Sequence, residues 1–130
     1  MRTSGPQVWA RLEFEKLALE VSALKAGLTA ISPHALQGSS GVEHKFDLLF
    51  TDGNHSYAFD FYEEVNEVEV VRSFAKKFDS GCAVNIVCPP GTASDAAQKL
   101  ALFYNMRVLT PDAAPTFFAL EKAAPRRTFG

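Results

Sequence analysis

Residues 45–64 read KFDLLFTDGNHSYAFDFYEE, and no other stretch limits the fold as strongly. Two apolar runs, 46–50 and 56–62, flank TDGNH, with Gly53 inside that turn-rich segment. Aromatic residues in alternation around a short Asp/Gly/Asn connection specify a β-hairpin. Successive strand side chains point to opposite faces. Tyr57, Phe59 and Phe61 therefore share one face, and Ala58, Asp60 and Tyr62 the other. Each run also holds an acid, Asp47 or Asp60, a residue type that strands disfavour. Such acids either do chemistry or lie on a polar strand face, solvated or paired with a base such as Lys45 or Arg72.

Helical segments surround the hairpin. Over residues 8–26, Ala10, Phe14, Leu17, Val21, Leu24 and Leu28 recur at spacings of three and four, which predicts a helix with that stripe buried and Gly27 as its stop. Residues 28–36 predict a short edge strand interrupted by Pro33, and residues 37–41 (QGSSG) a loop. A second helix is expected from residue 64 or 65 to 79, with Val68, Val71, Phe74 or Ala75, and Phe78 on its apolar side and Gly81 beyond its end. CAVNIVC, residues 82–88, is a nearly continuous apolar run, as in a central strand covered on both faces. PPGTASD leads into a third helix, capped by Thr92 or Ser94, with Asp95 in its first turn. Ala97, Leu100, Ala101 and Tyr104 form its buried stripe, and Asn105 closes it. RVLT is a further strand, and TFFALE offers a last one.

The order is therefore α-β-β-β-α-β-α-β, an α/β domain with a central mixed sheet between helical layers. Residues 82–110 are expected to form a right-handed parallel crossover. A length of 130 residues fits one domain over 1–130, with 1–7 and 123–130 as flexible ends. Eleven Phe and a hydrophobic fraction of 47% exclude a disordered chain. The formal net charge of −2 argues against strong nonspecific nucleic-acid binding by the whole surface. Cys82 and Cys88 would lie roughly 20 Å apart along one strand, too far for a disulfide, and read as buried small hydrophobes in a reducing compartment. There is no apolar run of membrane-spanning length and no basic-then-apolar leader pattern. The expectation is a cytoplasmic protein with no membrane partner.

This order of elements, with Asp47 in KFDLL and Asp60 in AFDFY, resembles the PD-(D/E)XK nuclease superfamily, over roughly residues 8–109. The resemblance implies a restriction-endonuclease-like three-layer α/β/α fold. It implies that Asp47 and Asp60 are the strand acids that hold Mg²⁺ near a scissile phosphate, and that Glu13 or Glu20 is the acid of the first helix. Carboxylate oxygens suit that hard cation. The family's lysine should fall two residues after Asp60, where this chain has Tyr62, and a phenol carries no charge to replace it. Either the lysine has migrated to the neighbouring helix, where Lys76 is the best candidate beside Lys77, or the fold persists without the reaction. The second reading is adopted. The domain is expected to be catalytically degenerate and to act in nucleic-acid or protein interaction, with an active Mg²⁺-dependent DNA endonuclease as the alternative.

Two further readings stay open. The chain could be a homodimeric interaction module using the aromatic face Tyr57, Phe59 and Phe61, an open strand edge, or Phe117, Phe118 and Phe129. FDLLFTDGNHSY also resembles a stretch of class I S-adenosylmethionine methyltransferases, which would put Asp52 and His55 in a pocket. That reading requires an all-parallel sheet, and residues 1–44 contain no glycine-rich cofactor turn. PPGTAS precedes a helix but lacks the lysine of a P-loop. His34, His44 and His55 have no metal-ligand spacing, although His44 and His55 could meet across the hairpin. Trp9 reads as a packing anchor.

Overall fold

The stretch that dominates the sequence folds as a hairpin. The computed structural model describes residues 6–114 and 116, with side chains described from Arg11 onward. The elements are α1 (Pro6–Lys25), β1 (Thr29–Ala30), β2 (Ala35–Gln37), β3 (Glu43–Lys45), β4 (Leu48–Thr51), β5 (Ser56–Phe61), α2 (Glu67–Ser80), β6 (Ala83–Val87), α3 (Asp95–Phe103) and β7 (Arg107–Leu109).

Five strands form one mixed sheet in the order β1-β4-β5-β6-β7. β4 pairs antiparallel with β5, Leu48 opposite Phe59 and Thr51 opposite Ser56. β5 pairs parallel with β6, and β6 parallel with β7, through the connections that contain α2 and α3. The antiparallel hairpin removes the all-parallel sheet that the methyltransferase reading requires.

Strand alternation divides the core in two. On one face Leu48, Phe50, Phe59 and Val87 pack under Leu19 and Ala23 of α1. On the other, Leu49, Ala58, Val84 and Ile86 pack against Val70 of α2 and Ala97 and Ala101 of α3. The result is a three-layer α/β arrangement with α1 on one side and α2 and α3 on the other. Phe50 and Phe59 are fully buried and meet edge to face at 6.2 Å, and burial of each contributes about 1.5–3 kcal/mol.

Helix ends follow their sequence signals. The Glu69 carboxylate accepts the Asn66 N–H at 2.8 Å, and Gly81, at φ 72°, donates its N–H to the Lys77 carbonyl. Ser94 Oγ accepts the Ala97 N–H at 3.0 Å, which caps α3.

Several expectations are corrected. Phe14, Leu17, Val21 and Leu24 of α1, read as the buried stripe, are exposed, and Leu19 and Ala23 are buried instead. Likewise Val68, Val71 and Phe78 of α2 are exposed, while Val70 and Ser73 are buried and Phe74 packs on the core. The stripe expected for α3 is the observed one. The segment around QGSSG is the connection of a second, two-stranded sheet, β2 with β3. Its residues Glu43–Lys45 are too polar and too short for a strand signal. The aromatic face of β5 lies under α1, with Phe59 fully buried, so it cannot serve as a dimer surface. All of TFFALE after Thr116, with Phe117 and Phe118, lies outside the described residues, as do Phe129 and the Trp9 side chain. No described helix is long and apolar enough to cross a membrane.

Candidate functional site

Asp60 sits on the face of β5 that packs against α2, and only 4% of it is exposed. An isolated carboxylate there would be costly, so its partners decide its state. Lys76 reaches back from α2 to both oxygens, with Nζ 3.1 Å from Oδ1 and 2.9 Å from Oδ2. Ser73, one turn earlier on the same helix face, donates to Oδ2 at 2.9 Å. Because that hydroxyl proton points at Asp60, the Tyr62 hydroxyl is the donor in its 2.9 Å contact with Ser73 Oγ. The ammonium of Lys76 also donates to the Lys45 carbonyl at 2.7 Å and lies 4.8 Å from the centre of the Phe46 ring. Burial raises the Asp60 pKa, hydrogen bonds and charge from Lys76 and a bond from Ser73 oppose the rise, and the negative charge of Asp47 adds to it. Burial likewise raises the Tyr62 phenol.

Asp47 lies just before β4, at the open end of the hairpin, and its carboxylate reaches the α1 layer. Its Oδ2 accepts the Phe61 N–H at 2.7 Å, and its Oδ1 lies 3.5 Å from Lys16 Nζ of α1. Lys16 also approaches Glu13 at 3.8 Å and the Phe61 ring at 5.9 Å. The expected set thus separates into two groups. Asp60 and Lys76 meet on the α2 side, and Asp47 and Glu13 share Lys16 on the α1 side. Glu20, two turns beyond Glu13, makes no ion pair with either group.

The donor set does not fit a divalent metal in this arrangement. Each strand acid is already matched by a lysine, and the two lysines come from opposite layers. Among the described residues no group of three or more His, Cys, Asp or Glu side chains gathers as metal ligands.

Lys76 belonged to the expected site, whereas Lys16 and Ser73 did not. Ser73 had a signal, a small hydroxyl among inward-facing α2 positions and three residues before Lys76. Lys16 had only its spacing of three from Glu13, which many exposed ion pairs share.

Other candidates resolve into structural roles. Asp52 Oδ1 accepts the N–H groups of Asn54 at 2.8 Å and His55 at 2.7 Å, which closes the hairpin turn and lowers the Asp52 pKa. His55 faces Asp52, while His44 contacts Asp79 at 2.7 Å, so these two histidines have different acidic partners. Thr92 Oγ1 donates to the Pro89 carbonyl at 2.6 Å, which closes the turn before α3. Cys82 and Cys88 are buried and free, and burial pushes the Cys82 thiol up to about 12, so it stays protonated and unreactive at neutral pH. A small cleft at the carboxyl ends of β5 and β6 is lined in part by Arg11, Glu15, Tyr62, Glu63 and Cys88.

No known family model matches the chain, and no curated protein matches it in sequence. Among solved structures it is similar to the crystal structure of a protein of unknown function, AF1548, with 17% identity and a TM-score of 0.58. The match covers 82% of this chain and 62% of that one. At this identity the likeness concerns the fold alone.

Proposed function

We propose that this chain is a nuclease-like domain without the nuclease reaction, and that it works as a protein-interaction module. The observation that carries the reading is the pairing of the two strand acids with separate lysines. Asp60 is closed into a buried ion pair with Lys76, and Asp47 is held by Lys16 on the opposite layer. A metal bridging both carboxylates would have to displace both lysines and uncover Asp60, which is 4% exposed. Protein is favoured over nucleic acid as the partner because Glu63, Glu64, Glu67 and Glu69 follow directly on β5, and a phosphate backbone would meet that acidic run next to the site.

A second reading has one observation in its favour. Tyr62 occupies the position expected for the lysine, yet a lysine does contact Asp60, delivered from α2 as Lys76. That is the arrangement a migrated lysine requires in an active Mg²⁺-dependent endonuclease.

Cleavage of single-stranded, duplex and branched DNA, with Mg²⁺ or Mn²⁺, separates the two readings. The expected result is no cleavage by the wild type or by Asp47→Ala, Asp60→Asn or Lys76→Met. Cleavage by the wild type that is lost in all three variants, each still folded by circular dichroism, would replace the first reading with the second.

A further inference from the structure

Helix α1 has two apolar faces. Leu19 and Ala23 form the inner one, 1% and 0% exposed against the sheet. The outer one consists of Phe14, Leu17, Val21 and Leu24, which are 70%, 56%, 42% and 51% exposed. Their spacings of three, four and three are those of a heptad seam, which lets one helix lie along another. A surface helix normally turns such a stripe to the core. Here the sheet is covered by the opposite side of the helix, and none of the described residues covers the seam.

We propose that the seam is the interface of a parallel, two-fold homodimer in which α1 packs along α1 of a second copy. Side-chain type and charge together select this occupant. With Phe14 and Val21 at heptad positions a, and Leu17 and Leu24 at d, Val21 and both leucines have the β-branched-a, leucine-d pattern that favours two parallel strands. Glu13 and Glu20 then take g, and Arg11, Ala18 and Lys25 take e. A parallel pair sets g of one helix against the next e of the other. Glu20 therefore meets Lys25 of the second copy twice, by symmetry, and Glu13 meets only Ala18. An antiparallel pair would set acid against acid along one side and base against base along the other. The inner face stays on its own sheet, so the two sheets flank the helix pair without competing for it. The proposal is independent of whether the domain cleaves DNA.

Sedimentation velocity and light scattering on the full chain provide the test. The wild type is expected to move from the 14.2 kDa chain mass to twice that value as concentration rises. Leu17→Glu with Leu24→Glu is expected to stay monomeric. Both positions face solvent, so circular dichroism and the urea midpoint of the monomer should not change. Glu20→Lys is expected to weaken association roughly tenfold, and adding Lys25→Glu to restore it. Val21→Cys is expected to give a disulfide-linked dimer on oxidation, because both native cysteines are buried. A wild type that stays monomeric at about 100 µM would overturn the proposal and leave the seam to the chain's own residues 117–130 or to another protein. Dimers that survive the double glutamate change, or that tighten with Glu20→Lys, would overturn it as well.

Discussion

The state of Asp60 depends on one ammonium group. Taking a partner from a buried ion pair leaves an uncompensated charge, at a cost of about 3–5 kcal/mol, whereas removing both partners costs much less. Lys76→Met should therefore lower stability by about that amount. Asp60→Asn in the same chain should recover most of the loss, as urea unfolding of the four-member cycle would measure. Because the folded-state pKa of Asp60 is raised, the native state binds its proton more tightly than the unfolded chain does. Stability from this group is thus greatest below the ordinary carboxylate range, falls as pH rises through the folded pKa, and is flat above it. Lys76→Met removes a contact that opposes the rise, so the falling limb should move to higher pH. If the lysine substitution costs under about 1 kcal/mol, the network is not structural and the case for an open, working site improves.

Among the elements, the small β2–β3 sheet meets the end of α2 at the Asp79 side chain. Asp79, at the end of α2, accepts the Ser40 N–H at 2.9 Å and the Ser40 hydroxyl at 2.6 Å, and it meets His44 at 2.7 Å. These contacts, the Ser40 hydroxyl first, bring its pKa down to about 2 from 3.8. A depressed carboxylate contributes stability that is fully present above 3.8 and is lost as pH falls through about 2. Asp79→Asn should accordingly flatten the acid limb of the stability–pH curve. Gly38→Ala should do the same by a different route, since a Cβ there would overlap the Asp79 carboxylate. An acid limb unchanged in both variants would show that the carboxylate does not tie the small sheet to α2. None of this was legible in QGSSG and its neighbours, because a side-chain clamp between residues 40 and 79 has no local pattern. The helices show a related limit. Periodicity identifies apolar stripes, but α1 has two, and only the tertiary arrangement decides that Leu19 and Ala23 face the sheet. In α2 the inward side includes Ser73 and Lys76, which a hydrophobic pattern discounts because their burial depends on Asp60. The hairpin, the strand at 83–87 and the stripe of α3 were legible, since in each the apolar residues that face the core are the ones the local period selects.

At the scale of the whole molecule, the α1 seam and the Asp60–Lys76 network lie on opposite sides of the sheet. A dimer stabilises the folded state by mass action, so its melting temperature rises with concentration. For a chain of 130 residues the expected rise is roughly 2–4 °C per tenfold increase. Leu17→Glu with Leu24→Glu should abolish that slope and keep the low-concentration value. Lys76→Met should lower every melting temperature while leaving the slope in place, since its contacts are made within one copy and on the far layer. Combining all three changes should add the two effects, as expected for distant sites that share no partner. A slope that disappears with Lys76→Met alone would mean that the α2 layer contributes to association. The interface would then extend across the sheet to the exposed Phe78, Leu102 and Phe103 rather than follow α1.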